Sequence, residues 1–227
     1  MPESAHRPYD RGSGEPSVIL ARTLSGDHVA LESAVIDAFA SGLAGRVVVE
    51  NAVGYEQARR VWNGLIDRRP AVIVQCAGAA DVLDSLRFAG DHDLLVAVRG
   101  GGHNVAGFGT CDGGLVIDLS SLRGIRVDPA RRTVRAQAGV TWGDLDRETQ
   151  AFGLAVPGGV VSTTGIAGLT LGGGQGWLRR TYGMTCDSLL SADVITSGGE
   201  FVTASDTERA DLFWALRGGG GNFGVVT

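Results

Sequence analysis

Cysteine is scarce in this chain: three residues in 227, Cys76, Cys111 and Cys186, far apart and without CxxC or Cys/His spacing. That argues against a disulfide framework and against structural zinc, and leaves three separate reduced thiols. Long apolar runs are missing as well. None approaches the ~18 residues needed to cross a bilayer, and the opening MPESAHRPYDRGSGEPS lacks the apolar stretch of a secretory leader. The expectation is a cytoplasmic protein that engages no membrane and holds no metal. Acids and bases are well mixed, with 20 Lys and Arg against 25 Asp and Glu for a net charge of -5. Such a balance offers nucleic acid or anionic lipid no basic face. No GxxxxGK[ST] occurs either, which excludes a P-loop.

Glycine is what the chain has in abundance, 36 residues, about twice the usual ~7% share. The excess is clustered at 100–102, 107–114, 158–159, 165–176, 198–199 and 218–224, so neither collagen nor a flexible linker fits. Two readings account for clusters between strand-like segments: several loops converging on one large ligand, or tight turns in a loop-rich α/β protein. The run Val98–Thr110, VRGGGHNVAGFGT, sharpens the first. Three glycines begin where the apolar strand Leu94–Val98 ends, and a histidine follows them directly. Glycine weakens helix and strand alike, so a triple run implies positive φ or a bulky group lying against the backbone.

Periodicity gives the organisation. Residues 1–20 read as a disordered tail, and 21–53 as an N-terminal helical segment with a helix over His28–Phe39. A second helix is expected over Tyr55–Ile66, where Tyr55, Ala58, Val61, Trp62, Leu65 and Ile66 keep helical spacing. A strand follows Pro70, then a helix over Ala80–Ala89, the LLVAV strand and LVIDL at 115–119, a small α/β unit over 54–122. From 123 to 227 the pattern turns to hairpins: strands around Asp128-Pro129, and a second pair around Gly198-Gly199. Between them Thr141 is placed to cap a helix to Ala151, with Asp144 at its third position and Trp142, Leu145 and Phe152 on one face. DLFWALR reads as a short helix, and the final GVVT as a strand left incomplete, so a truncated form is expected.

Gly219–Gly224 matches GxGxxG, yet a dinucleotide fingerprint must follow a strand and open a helix. Here a helix precedes and a strand follows, which argues against a Rossmann site. The informative pattern is three loops in order: Arg99-Gly100-Gly101-Gly102-His103-Asn104, then Pro157–Gly183, then Leu216–Thr227. Glycines in each let main-chain N–H groups approach phosphate oxygens without a lysine.

These loops resemble the FAD-binding domain of the vanillyl-alcohol-oxidase/PCMH-type flavoproteins, and within them the berberine-bridge-enzyme and 6-hydroxynicotine-oxidase branch. The resemblance covers about residues 50–227. It implies an α+β, two-subdomain PCMH-type FAD-binding fold: a small α/β unit plus a larger mixed or antiparallel sheet with helices. It implies FAD as cofactor, bound covalently through His103, the histidine of R-[SG]-G-G-H. The cofactor-binding set it implies is Arg99, Gly100, Gly101, Gly102, His103, Asn104, Gly107, Gly158, Thr163, Thr164, Gly165, Gly168, Gly173, Gly174, Gly221, Asn222, Phe223, Gly224 and Val226. Where many relatives carry a second, cysteinyl flavin bond in G-x-C-x-T-x-G, this chain has Gly159-Val160-Val161-Ser162-Thr163-Thr164-Gly165. Val161 occupies the cysteine's place, which implies a single attachment. Thr164 and Leu169 fall at positions near the isoalloxazine and differ from the commonest family residues, so oxidase and dehydrogenase both stay open.

Relatives continue beyond GNFGVVT into a substrate domain that supplies acid and base groups, and no catalytic residue is assigned within these 227. The resemblance implies the FAD-binding half of an oxidoreductase that takes a hydride from a small alcohol, sugar, amine or alkaloid-like substrate. The alternative is a catalytically silent flavin- or nucleotide-binding module, or one half of a split protein. Truncation is expected to expose apolar surface that favours association.

Overall fold

The computed structural model of the chain describes residues 18–227. Most of the expected disordered tail, residues 1–17, lies outside the described residues. The described chain forms two compact units, the first running up to Arg99 and resuming over Val105–Asp118, the second comprising Gly100–Asn104 and Leu119–Thr227. Among the described residues no helix is long and apolar enough to cross a membrane.

The first unit opens with a hairpin, β1 (Val18–Arg22) and β2 (His28–Glu32), in register from Val18 opposite Glu32 to Arg22 opposite His28. This corrects two expectations. Residues 18–20 are strand, and the helix placed over His28–Phe39 begins only at Ser33, as α1 (Ser33–Ser41). The reason is a two-residue period at the start of that stretch: Val29 and Leu31 turn inward while His28, Ala30 and Glu32 are exposed. The segment 21–53 therefore holds a hairpin, one helix and β3 (Arg46–Val49), and is not a helical segment.

The central sheet has the order β3-β4-β6-β5, with β4 (Val72–Gln75), β5 (Val96–Arg99) and β6 (Leu115–Asp118). β4 and β5 both run parallel to β6, and β3 is antiparallel to β4. Val72, Ile73, Val74, Leu115, Val116 and Ile117 are all fully buried. An unbroken apolar run of Val, Ile and Leu is what a parallel strand covered on both faces requires. Between β4 and β5 lies α3 (Ala79–Asp91), as the periodicity predicts. The buried Asp81 near its start accepts main-chain N–H bonds from Ala77 at 2.7 Å and Ala44 at 2.9 Å.

The helix expected over Tyr55–Ile66 is another correction. Only α2 (Tyr55–Ala58) forms. Asn63-Gly64 breaks the rest, because the Asn63 side-chain oxygen takes the Leu65 N–H at 3.1 Å and its carbonyl takes Ile66 N–H at 3.0 Å. A local side-chain turn competes successfully with the helix, and Trp62 and Leu65 end up exposed.

The second unit holds two antiparallel sheets. β7 (Ile125–Asp128) pairs with β8 (Thr133–Ala136), and β9 (Ser191–Ile195) lies between β10 (Phe201–Ser205) and β11 (Val225–Val226). Helix α4 (Trp142–Gln150) is capped as its sequence predicts: Thr141 Oγ1 accepts the Asp144 N–H, and Asp144 Oδ2 accepts the Thr141 N–H at 3.2 Å. Trp142 and Leu145 are buried, but Phe152 lies beyond the helix end and is half exposed, so it does not share their face. Two apolar clusters anchor the unit. Val140, Trp142 and Leu145 gather Ile166 and Leu169, while Val194, Ala204, Phe213 and Leu216 gather Leu171. The short helix α5 (Ile166–Leu171) thus contributes side chains to both.

Candidate functional site

The first glycine loop leaves β5 at Arg99. That side chain is buried, its guanidinium donating to Asp118 Oδ2 at 2.7 Å and to the Arg60 carbonyl at 3.2 Å. The geometry commits Arg99 to holding the strand end.

Gly100 and Gly101 have no room for a side chain. A Cβ on Gly100 would lie 2.9 Å from the Ala138 carbonyl oxygen, and one on Gly101 only 2.3 Å from the Gly165 nitrogen. The reciprocal distance, from a Cβ on Gly165 to the Gly101 nitrogen, is 2.4 Å. Backbone therefore crosses backbone at Gly101 and Gly165, which joins the first and second loops. Gly102 then takes φ +67°, a conformation open to glycine and costly to other residues. Among the described residues, the main-chain N–H groups of Gly100, Gly101 and Gly102 find no protein acceptor. Three successive unspent N–H groups make a cradle suited to an anion.

His103 follows, partly buried. Its Nε2 lies 2.8 Å from Thr163 Oγ1 and its Nδ1 3.4 Å from Thr164 Oγ1. Desolvation holds the imidazole pKa below its ordinary value, which favours the neutral ring. Asn104 beside it is exposed. The threonines are set by the start of α4, whose Trp142 and Gly143 N–H groups donate to the Thr164 and Ser162 carbonyls at 3.0 and 2.8 Å. Ile166 N–H donates to the Val140 carbonyl at 2.9 Å. The loop thus satisfies amides that a helix N-terminus leaves over, and its hydroxyls face the histidine as a result.

The other sequence-predicted positions divide by what their missing side chain makes room for. Gly107, in the first unit, leaves room for Ile66, whose Cγ2 would stand 2.8 Å from a Cβ there. Gly158 accommodates the Trp142 ring, and Gly174, at φ +73°, accommodates Leu169 and Thr185. Gly173 is also left-handed, at φ +96°. Gly168 has open space around it, as does Gly221. Asn222 donates to the Gly219 carbonyl at 3.3 Å, and the Phe223 ring lies against Gly219. Gly224 adopts φ +137° against Val194 and Ile195, and Val226 packs into the apolar cluster of β9 and β10. Helix α6 (Ala210–Leu216) precedes this third loop and β11 follows it, the reverse of a dinucleotide fingerprint.

Two features escaped the sequence reading. Thr163 pairs with His103 across sixty positions of chain, a contact no local pattern announces. The Trp142 indole N–H is buried without an acceptor among the described residues, beside Gly159. Its amphipathic position identifies a core residue and says nothing of the nitrogen. Val161 is exposed, while Cys76, Cys111 and Cys186 are all buried. Burial pushes the Cys76 thiol up to about 12 and the Cys111 thiol to about 11, which suppresses the thiolate.

The donor set of the first loop suits an anionic group such as a dinucleotide's pyrophosphate. His103, whose neutral form is favoured by desolvation, follows those donors directly. A family model described as "FAD binding domain" matches residues 70–205. The chain is 42% identical over 185 residues to (R)-6-hydroxynicotine oxidase of Paenarthrobacter nicotinovorans, covering 82% of this chain and 40% of that protein. It superposes on the crystal structure of 6-hydroxy-D-nicotine oxidase from Arthrobacter nicotinovorans with TM-score 0.80 at 42% identity, covering 82% of this chain and 41% of the other. The BBE-like 1 protein of Physcomitrella patens gives TM-score 0.80 at 30% identity, with 85% and 42% covered. The chain spans about two fifths of the length of the relatives it matches.

Proposed function

The chain belongs to the FAD binding domain family, and from that premise we propose that it is the cofactor-holding part of a flavin-dependent oxidoreductase, with FAD attached covalently and only through His103. The fold it adopts is that of the PCMH-type FAD oxidases. The observation that carries the reading is the first loop, where three unspent main-chain N–H groups run directly into an imidazole whose neutral form is favoured.

Bound FAD would supply the redox chemistry, accepting a hydride equivalent from the organic substrate. The chain's residues bind and orient it. Gly100–Gly102 hold the anionic pyrophosphate by main-chain N–H donation, and the open positions Gly168 and Gly221 let the ligand approach backbone closely. His103 contributes a nitrogen lone pair as the nucleophile at the flavin 8α carbon. With Val161 at the place of a second attachment and buried, weakly acidic thiols elsewhere, one bond is the proposed total. The substrate belongs to the class of small alcohols, sugars, amines or alkaloid-like molecules; a relative named for 6-hydroxynicotine favours the amines within it.

The test is the spectrum of the acid-precipitated protein together with intact mass. Flavin should stay with the unaltered polypeptide, be released from His103→Ala, and stay in the Cys76→Ser, Cys111→Ser and Cys186→Ser variants. A flavinylated peptide that contains a cysteine and lacks His103 would overturn the assignment.

A further inference from the structure

Away from the glycine loops, the first unit carries an open groove of about 330 Å³ between α1 and α3. Its floor is aromatic. Phe39 and Phe88 stack there with ring centroids 4.2 Å apart and planes 14° from parallel, beside the exposed Val35. Its rim is charged, and the charges alternate along α3: Asp84, Arg87 and Asp91 line the groove from one face of the helix. Asp84 and Arg87 stand 3.7 Å apart and are both well exposed, a pair that contributes little by itself and leaves its charges open to other partners.

The place where the chain enters this unit bears on what covers the groove. Val18 opens β1 opposite Glu32, the residue that immediately precedes α1. The sequence before Val18 is therefore tethered beside the first turn of the helix that forms one wall. It contains Arg7-Pro8-Tyr9-Asp10-Arg11, one aromatic residue among charges in the order positive, negative, positive. The rim of α3 reads negative, positive, negative. Arg7 to Arg11 spans up to about 13 Å of extended chain, and Asp84 to Asp91 spans about 10 Å along α3. From Tyr9 to Val18 the chain can reach about 30 Å, more than twice the ~13 Å length of α1.

We propose that the groove between α1 and α3 is the docking site of this chain's own N-terminal segment. Tyr9 lies on the Phe39–Phe88 stack, Arg7 and Arg11 meet Asp84 and Asp91, and Asp10 meets Arg87. The contact covers aromatic surface and ties the N-terminal side of the first hairpin to α3. Tethering supplies an effective concentration on the order of mM, so one ring and a few surface ion pairs are enough to hold it. Salt weakens it, because the pairs face solvent.

The experiment uses the full 227-residue chain with a nitroxide on Ser4→Cys; Cys76, Cys111 and Cys186 are buried and stay unlabelled. Ser4 is far enough from Val18 in sequence that the tether alone does not bring the label to α3. Relaxation enhancement in the isotope-labelled chain should remove most of the Arg87 and Asp91 amide intensity. Tyr9→Ala should reduce that enhancement about threefold or more, and so should Asp84→Lys combined with Asp91→Lys. Adding Arg7→Glu and Arg11→Glu to the lysine pair should bring it back, since the two charge sets are then opposite again. Isotope-labelled chain without nitroxide, mixed with unlabelled chain that carries it, should show no enhancement. Undiminished α3 signals in the nitroxide-bearing chain, or enhancement that survives Tyr9→Ala, overturns the proposal. Enhancement in the mixed sample assigns the groove to a second copy of the chain and overturns it as well.

Discussion

The first and third glycine loops look alike as sequence, RGGGHN and RGGGGNFG, and the second unit uses them in opposite ways. In the first, the N–H groups of Gly100, Gly101 and Gly102 meet no acceptor among the described residues. In the third, Gly218 and Gly220 both donate to the carbonyl of Leu171, at 3.0 and 2.8 Å, and Gly219 donates to Ala215 at 2.9 Å. One loop withholds its donors from the protein; the other spends them closing the C-terminal end of α5. Glycine content therefore marks where backbone comes close to something, and the hydrogen-bond inventory says whether that something is protein or ligand. The GxGxxG match falls in the loop whose first donors are already spent.

Substitutions at the two loops should separate folding from flavin attachment, with the largest effect at the root of the first. Arg99→Ala removes the guanidinium that Asp118 accepts from in the buried ion pair, and breaking such a pair costs about 3–5 kcal/mol. Denaturant unfolding should show that loss, and a variant within experimental scatter of the unaltered chain would mean that the Arg99–Asp118 pair adds nothing to stability.

Substitution within the loops gives a smaller effect and a sharper contrast. Gly101→Val drives a side chain into the Gly165 backbone, which cannot move aside as a flexible side chain would, and overpacking of this kind costs about 1–3 kcal/mol. It should also abolish covalent flavin by separating the cradle from His103. Gly220→Ala forces a Cβ into φ +76°, at about 1–2 kcal/mol, and should leave covalent attachment intact. Loss of attachment in Gly220→Ala, with retention in Gly101→Val, would reverse the roles given to the two loops.

How much of this was visible beforehand depended on how local the determining contact is. The β4 and β6 strands, α3 and the Thr141–Asp144 cap follow from apolar runs and from partners three positions apart. The helix over Tyr55–Ile66 failed because apolar spacing outweighed Asn63-Gly64, whose side-chain turn is also local and legible. His28–Glu32 failed because a two-residue period of only five residues abuts a true helix. In the site, RGGGH is a sequence feature, whereas the crossing of Gly101 over Gly165 and the pairing of His103 with Thr163 join positions some sixty residues apart. No periodicity encodes that distance; only the fold of the second loop onto α4 supplies it.

The smallest expected effect is a near absence of pH dependence, and its sign follows from the desolvation of His103. The reactive species is the neutral imidazole, and the folded-state pKa lies below the ordinary value of 6.5. The neutral ring consequently predominates at neutral pH, and raising the pH further adds little nucleophile. The attachment rate should be flat from neutral pH upward and should begin to fall only below the ordinary histidine value, as protonation removes the lone pair. The same shift links to stability: with the folded pKa depressed, unfolding takes up a proton first, so the contribution of His103 is complete above 6.5 and declines as pH falls through the folded pKa. A fully solvated histidine, or one paired with a carboxylate, would instead lose rate at or above 6.5, because its neutral fraction would already be falling there. Rates of covalent incorporation measured across a pH series, with non-covalent FAD binding as control, distinguish the two. A midpoint above the ordinary histidine value would show that a negative charge faces His103 in the attachment-competent state, and the first loop would then be less purely a cradle of main-chain donors than the comparison with the third loop makes it.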